Sequence, residues 1–360
     1  MKTMLRTTLL ALASNPCLAQ ADKLQLYGRL NLGAEALRLQ GGGAGEGTRT
    51  RLSNYRSVFG VRGSEALGGD TRLVFQVEGT LSPDTGAGTV AARDTRVGLE
   101  GRWGTLFAGN WSTPYNGATA GLDPFYPTTA GYMSIMGNGA AASADNASDT
   151  SSFDRRQKNS LHYWTPAWRG LTLRLAHGFN EESPPDGAKP SLTSGALVLD
   201  QGRLYATLAH ERHRAYRGPG LDDRGTKFGA AWQFGQTRLA GVAEQLHYET
   251  VDGSLERRAY YVSLTHQVGP HAWKLGVAKA RDGKGGASEA VGFARSGADT
   301  GAVHATLGYD YALSKRTSVF AFYTRLDNSR RGIADFAINE LDTPPGATAV
   351  GAALGLRHAF

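Results

Sequence analysis

The chain has 360 residues, of which 20% are charged, and its formal net charge is +7. This modest basic excess does not by itself indicate a protein that binds nucleic acid. No run of 18 apolar residues occurs in the sequence, which excludes a protein that crosses a membrane with apolar helices.

Residues 1–19 are typical of a secretory signal peptide. A basic start and a short apolar stretch precede small residues, which permit cleavage after Ala19 or after Ala21. The alternative for this segment is a disordered tail. Cleavage would remove Cys17, the single cysteine, and would leave residues 20–360 as one secreted domain that no disulfide stabilises.

Segments of about ten residues with alternating apolar and polar side chains follow one another through the rest of the chain. In residues 71–78, Leu73, Phe75 and Val77 lie on one side of the predicted strand, and polar residues lie on the other. The same alternation recurs over residues 23–31, 171–175, 204–208, 226–234, 260–264, 303–309 and 350–360. It is typical of half-exposed antiparallel strands.

The connections between these segments alternate between short and long. Short connections with turn residues lie at 67–70, 102–104, 167–170, 201–202, 235–236, 269–270 and 313–316. Long connections rich in glycine and proline lie at 39–50, 81–92, 112–157, 181–190, 215–223, 250–256, 283–299 and 330–346. Eight long and seven short connections predict 16 strands. A closed barrel in an outer membrane accounts for this segregation, because long loops then lie outside the cell and tight turns lie in the periplasm.

Two further patterns favour a membrane barrel over a soluble protein. One face of the strands is apolar, and the other is too rich in Arg, Lys, Gln and Thr to fill a dry core, so it suits a water-filled interior. Four tryptophans lie at short turns, where they would anchor the barrel in one membrane interface; these are Trp103, Trp168, Trp232 and Trp273. The alternative is that these tryptophans cap a soluble core.

The last predicted strand, residues 350–360, continues to Phe360. Because Phe360 shares its parity with Leu354 and Leu356, we expect its ring to face lipid near the periplasmic interface. In a closed barrel the last strand pairs with the first, and we expect that pairing here.

Several motifs occur in the order that one protein family has. They are residues 26–28 (LYG), 59–69 (FGVRGSEALGG), 96–104 (RVGLEGRWG), 159–166 (NSLHYWTP), 309–317 (YDYALSKRT) and the final Phe360. Together they resemble the trimeric general porins of Gram-negative outer membranes, especially those of β-proteobacteria.

The resemblance implies an all-β, 16-stranded antiparallel transmembrane β-barrel with short periplasmic turns and long extracellular loops. It implies that the third loop, residues 112–157, folds into the lumen as a constriction; independently, a connection of about 45 residues is unusual in a compact barrel unless it is functional. It further implies a homotrimer in contact with outer-membrane lipid and lipopolysaccharide. Passive diffusion of small hydrophilic solutes and ions would be the function, without a cofactor. In this family a last strand that ends in an aromatic residue such as Phe360 resembles the signal that the β-barrel assembly machinery reads.

The polar faces of the predicted strands, and residues that flank the strand ends, supply candidate residues for the pore lining. These are Arg29, Arg56, Arg72, Glu78, Arg93, Arg156 and Lys158, and the third loop adds Asp123. The resemblance places Arg93 and Arg156 at positions that are basic in anion-selective members, and it places Glu78 at a wall acid. Val58 lies where such members can carry an arginine, and Arg56 is a candidate to replace it. Since basic wall residues outnumber the loop acids, we predict a mild anion preference.

Other classes of function have weaker support in the sequence. One alternative is a substrate-specific channel of the same fold for phosphate, dicarboxylates or similar anions, and another is a secreted soluble lectin or adhesin. His210, Glu211 and His213 could suggest a metal site, but the arginines beside them favour a solvated rim. No strand–turn–helix elbow holds a serine, so the sequence gives no support to nucleophilic catalysis, and we predict that the protein is not an enzyme.

Overall fold

The computed structural model describes residues 23–43, 47–139, 152–180 and 187–360. The predicted signal peptide lies outside these residues and stays a prediction. The described strand segments are β1 (Lys23–Gln40), β2 (Thr48–Asn54), β3 (Ser57–Gly68), β4 (Thr71–Ser82), β5 (Ala87–Thr89), β6 (Thr95–Gly101), β7 (Gly104–Ser112), β8 (Arg156–Trp164), β9 (Leu171–Gly178), β10 (Ser191–Asp200), β11 (Leu204–Arg214), β12 (Asp222–Phe234), β13 (Thr237–Thr250), β14 (Gly253–Val268), β15 (His271–Ala280), β16 (Ala302–Ala312), β17 (Thr317–Asn328) and β18 (Thr348–Ala359). One α-helix, α1 (Pro114–Thr119), and three 3₁₀ helices, Ala120–Leu122, Tyr132–Ser134 and Met136–Asn138, lie between β7 and β8.

These segments form a closed antiparallel barrel of 16 strands. Segments β2 and β3 both pair with β1, and they form one strand that is interrupted where Arg56 adopts a left-handed φ of 55°. Segments β5 and β6 both pair with β4 and form a second interrupted strand. Every other strand pairs with its neighbours in the chain, and β18 pairs with β1. The fold class predicted from the sequence is confirmed.

Short and long connections lie at opposite ends of the barrel. The seven short ones are residues 69–70, 102–103, 165–170, 201–203, 235–236, 269–270 and 313–316. The long loop predicted at 250–256 is wrong, because β13 and β14 continue to a turn of two residues, Val251 and Asp252. Tyr248 and Leu255, which flank this turn, are fully buried, so this end of the hairpin is packed and is not a solvated loop.

The outward face of the barrel is apolar and exposed, while the inward face is packed or polar. On β14, for example, Tyr260, Val262 and Leu264 are exposed, whereas Tyr261 and Ser263 between them are buried. Much of the buried apolar surface lies inside the barrel, where side chains of the segment between β7 and β8 pack against small wall residues. Among the described residues, no helix is both long and apolar enough to cross a membrane.

The barrel closes between β1 and β18. Their register runs from Arg29 opposite Ala359 to Gln40 opposite Thr348. Gly28 and Phe360 continue this pairing with two backbone hydrogen bonds of 3.1 Å. The Phe360 ring lies over Gly28, which has no side chain to displace it. The predicted pairing of the last strand with the first is therefore confirmed.

Candidate functional site

The third loop enters the barrel through helix α1. Thr113 caps the helix, since its hydroxyl accepts a hydrogen bond of 3.2 Å from the Asn116 backbone N–H, and Pro114 occupies the first helical position. The Tyr115 hydroxyl donates to Glu244 Oε1 on β13 at 2.9 Å. The helix is thus fixed to the inner wall at its first turn.

The middle of the loop is held by a buried carboxylate of its own, Asp123. This carboxylate accepts hydrogen bonds from the Phe125 and Tyr132 backbone N–H groups at 3.0 and 2.9 Å and from the Tyr261 hydroxyl at 2.8 Å. Burial raises the pKa of Asp123 to about 6, and these donors act in the opposite direction. Because Asp123 is only 5% exposed, its assignment to the pore lining is corrected: it braces the loop.

Further along, the loop reaches the wall strand β1. The Thr129 hydroxyl donates to Glu35 Oε2 at 3.0 Å, and the Tyr55 hydroxyl donates to the same oxygen at 3.0 Å. The Ala130 carbonyl accepts a bond of 3.1 Å from Thr306 on β16. The loop therefore contacts the wall at β1 and β16 as well as at β13.

The returning part of the loop is fixed to β13 and β14. The Gly137 N–H donates to Glu244 Oε2 at 2.7 Å, so one carboxylate binds the loop at two points, residues 115 and 137. Arg257 Nη1 donates to Asn138 Oδ1 at 2.9 Å, and Asn138 Nδ2 donates to the Tyr248 hydroxyl at 3.0 Å. The sequence of this loop also contains Asp145 and Asp149, which lie outside the described residues.

These contacts place the described part of the loop against one half of the wall. A cavity of about 340 Å³ remains between the loop and the other half. The loop side of this cavity carries small residues such as Gly117 and Ala120 together with Tyr126. The charged residues that line the cavity lie on the wall side; they are Arg29, Glu78, Arg93, Asp94, Arg156 and Arg174.

Two of the wall arginines form close ion pairs. Arg93 Nε lies 2.8 Å from Glu78 Oε1, and Arg156 Nε lies 2.8 Å from Asp94 Oδ1. Arg29 instead donates to a backbone carbonyl, that of Arg56, at 2.9 Å. On the cavity wall, Arg93 and Arg156 are therefore each paired with a carboxylate. Other wall arginines, such as Arg29, have no carboxylate partner among the described residues, so no nearby acid neutralises their positive charge.

The structure brings five of the predicted lining residues together. Arg29, Glu78, Arg93 and Arg156 line the cavity, and Arg56 reaches it through Tyr126, whose hydroxyl lies 3.2 Å from Arg56 Nη1. Val58 lines the same cavity.

Two predicted residues lie elsewhere. Arg72 pairs with Glu100 and lines a second cavity nearer the short turns, so it belongs to the lumen but not to this group. Lys158 lines a separate cavity beside Ala108 and Phe179. Its assignment is corrected, because a bulge that includes Asn159, with φ of 49°, breaks the alternation on which it depended.

Several residues of the cavity were not predicted from the sequence. Asp94 and Tyr126 lie in irregular segments, where parity carries no information about direction. Arg174 lies on the polar face of the strand predicted at 171–175, so its alternation could have found it. Trp164 belongs to the motif at residues 159–166 and lines the same cavity.

His213, near the end of β11, forms a structural contact. His213 is fully buried, its Nε2 lies 2.8 Å from Glu211 Oε1, and its ring stacks on Phe153 at 4.2 Å between centres. The solvated rim expected for His213 and Glu211 is therefore wrong, because the end of the third loop covers them. Within the described ranges, no group of three or more His, Cys, Asp or Glu side chains could hold a metal ion.

A closed barrel with a loop folded inside and a basic passage beside that loop defines a β-barrel membrane channel. The family follows from comparison with known sequences, since a family model described as Gram-negative porin matches residues 7–331. The chain belongs to this family of Gram-negative porins. The protein is thus an outer-membrane channel and a multi-pass β-barrel, as the sequence predicted, and the soluble adhesin alternative is not favoured. Family and fold indicate a channel rather than an enzyme.

Individual relatives extend over most of the chain. The sequence is 27% identical over 313 residues to outer membrane porin protein 32 of Delftia acidovorans, and the match covers 84% of each protein. The structure resembles an anion-selective porin from Comamonas acidovorans with a TM-score of 0.80 at 24% identity, covering 94% of this chain and 99% of that one. It resembles the trimer form of OmpT from Vibrio cholerae with a TM-score of 0.67 at 16% identity, covering 95% and 100% of the two chains.

Proposed function

We propose that the chain forms a water-filled channel through which small hydrophilic solutes and ions diffuse passively, with a mild preference for anions. The observation that carries this proposal is the charge of the cavity wall, where four arginines face the passage with two carboxylates. The wall therefore has an excess of two positive charges. The described loop residues that line the opposite side carry no charge to offset them.

The passage selects ions and small solutes by its cross-section and its electrostatic field. Its width is set by the third loop, which Glu244, Asp123 and Glu35 hold against the far wall. The surplus positive charge raises the local concentration of anions, and the low-dielectric barrel around the passage strengthens this effect. A narrow gap with charge on one side also favours dipolar solutes over apolar ones.

Substitutions at Gly117 test where solutes pass. Gly117 lines the cavity, its φ is not in the left-handed region, and a Cβ at this position would meet no atom within 4 Å. We expect single-channel conductance in KCl to fall stepwise through Gly117→Ala, Gly117→Leu and Gly117→Trp, to less than half of the wild-type value in the last. Equal conductance across the series, with all variants folded, would contradict a passage along this face of the loop.

A substrate-specific anion channel is the alternative within transport. Arg29 and Arg174, which form no ion pair with a described carboxylate, favour it. Conductance that rises linearly with KCl concentration is expected of the general pore. Saturation of the conductance by phosphate or a dicarboxylate would favour the specific channel.

We also propose that the protein assembles as a homotrimer. The outward face of β1, β2 and β18 forms a shallow groove of small and apolar side chains, among them Ala34, Ala36, Leu52, Ala352 and Leu354. Such a face permits close packing of a neighbouring barrel. Light scattering in detergent is expected to give three times the protomer mass, and a monomer mass would contradict the proposal. Lipid and lipopolysaccharide would surround the remaining outer face.

We propose that Phe360 is read by the β-barrel assembly machinery and then completes the closure of the barrel. Its ring fits over Gly28, where a Cβ would collide with the ring and lie 2.8 Å from the Val58 carbonyl oxygen. We expect Gly28→Leu to lower the yield of folded barrel several-fold, as deletion of Phe360 would, while assembled molecules conduct normally. Gly241→Leu is the control, since a Cβ there would meet its nearest neighbour at 3.5 Å. Equal yields for the two variants would argue against this role of Phe360.

A further inference from the structure

A cluster of aromatic rings and arginines lies on the inner wall beside the passage. The Arg96 guanidinium carbon lies 4.4 Å from the ring centre of Trp111 and 5.6 Å from that of Trp164. The Arg174 guanidinium carbon lies 4.9 Å from the Trp164 ring centre. Trp111 and Trp164 contact each other edge to face, with centres 6.4 Å apart. The two indoles and two guanidinium groups thus form one continuous surface, the Arg–Trp cluster.

The cluster lies along the path of a solute. Trp111, Trp164 and Arg174 line the cavity of about 340 Å³ that also holds Arg29 and Arg156. Arg96 lines the next cavity, nearer the short turns. This volume is within the range of small-molecule sites, about 300–1,000 Å³. An anion that moves from the first cavity towards the periplasm therefore meets Arg174 and then Arg96.

The two arginines of the cluster keep their charge available. Among the described residues, neither Arg96 nor Arg174 has a carboxylate oxygen within ion-pair distance, in contrast to Arg93 and Arg156. The nearest acids are engaged elsewhere, since Asp94 pairs with Arg156 and Glu100 pairs with Arg72.

Several donors of the cluster also have no acceptor. Within the described part of the chain, Nε and Nη1 of Arg96, Nε of Arg174 and Nε1 of Trp164 are buried and make no hydrogen bond. Buried donors are normally satisfied, so these groups depend on acceptors in the water-filled lumen, which water or a solute can supply.

We infer that the Arg–Trp cluster is a binding subsite for aromatic carboxylates within the channel. The inference rests on the proposed function, because it requires solutes to traverse the lumen. The carboxylate of the solute would accept hydrogen bonds from the guanidinium groups, and its ring would stack on an indole. A phosphate or an aliphatic acid would use the arginines but would leave the aromatic surface uncovered, so affinity should be highest for a planar aromatic anion.

Block of ion current tests this inference with benzoate as the probe. Single channels in KCl receive benzoate or cyclohexanecarboxylate, which has the same charge and similar size but no aromatic ring. Benzoate is expected to reduce the current saturably and at a several-fold lower concentration than cyclohexanecarboxylate. Trp164→Leu should remove this difference, and Arg174→Gln should weaken the block by both acids.

Matched controls separate the cluster from general effects. Trp168→Leu removes a tryptophan at a short turn, and Arg212→Gln removes an arginine that pairs with Asp222 away from the cluster. Benzoate should block both variants as it blocks the wild-type channel. Equal potency of the two acids, block by inorganic phosphate as strong as by benzoate, or an unchanged Trp164→Leu variant would overturn the inference. If the wild-type protein gave no conductance in KCl alone, the proposed function would be contradicted. Failure of the proposed function is therefore distinguishable from failure of this inference.

Discussion

Glu244→Ala is expected to release the third loop and to raise both the single-channel conductance and the noise of the open channel. Glu244 accepts hydrogen bonds from the Tyr115 hydroxyl and the Gly137 N–H, so one substitution removes the attachment of the loop at its start and at its return. Two buried donors lose their acceptor, and each unsatisfied donor costs roughly 1–3 kcal/mol. We expect protease cleavage within residues 113–155 to accompany the change in conductance.

Two further variants define this prediction. Glu244→Gln retains one acceptor oxygen and is expected to give an intermediate effect. Glu289→Ala removes a mostly exposed acid that pairs with Arg217, and it should conduct like the wild type. If Glu244→Ala folds and conducts with wild-type amplitude, noise and protease resistance, the third loop is not held by this carboxylate.

Arg29→Glu is expected to abolish the anion preference. Arg29 lines the passage, and none of the described carboxylates lies within ion-pair distance of it, so the substitution leaves no buried acid unpaired. The change removes one positive charge and adds one negative charge, which cancels the excess of two on the cavity wall. We expect the chloride-to-potassium permeability ratio to fall several-fold and to approach unity in bi-ionic reversal-potential measurements.

The matched control for this variant is Arg72→Glu. It changes the charge of the lumen by the same amount, but Arg72 lies in a separate cavity, where it pairs with Glu100. We expect at most a small shift in the permeability ratio, because exposed charges farther away are screened by salt. Equal effects of the two substitutions would show that total lumen charge, and not the cavity wall, determines selectivity.

The barrel was largely predictable from the sequence for a physical reason. Each strand separates lipid from a polar interior, so the alternation of side chains reports its direction, and the length of each connection reports the end of the barrel at which it lies. The hairpin of β13 and β14 departs from this pattern. Its turn was predicted as a long loop but has only two residues. Tyr248 and Leu255 beside this turn are buried by segments that are distant in the sequence, and local alternation does not reveal such contacts; Tyr248, for instance, contacts Asn138 of the third loop.

The channel lining was less predictable because it depends on tertiary contacts. Parity identified Arg29 and Glu78, which lie on regular strands. It failed for Lys158 beside a bulge, and composition failed for Asp123, whose carboxylate turns into the loop itself. The Arg–Trp cluster joins residues from four strands, β6 to β9, and no local pattern connects them.

The reversal potential of the wild-type channel tests the central claim most directly. The purified protein is inserted into a planar bilayer that separates two KCl concentrations, and the potential at zero current is measured. The excess of arginine over carboxylate in the passage predicts a potential with the sign of preferential chloride movement. A potential with the opposite sign, which potassium preference would produce, would contradict the assignment of this wall as the selective part of the channel.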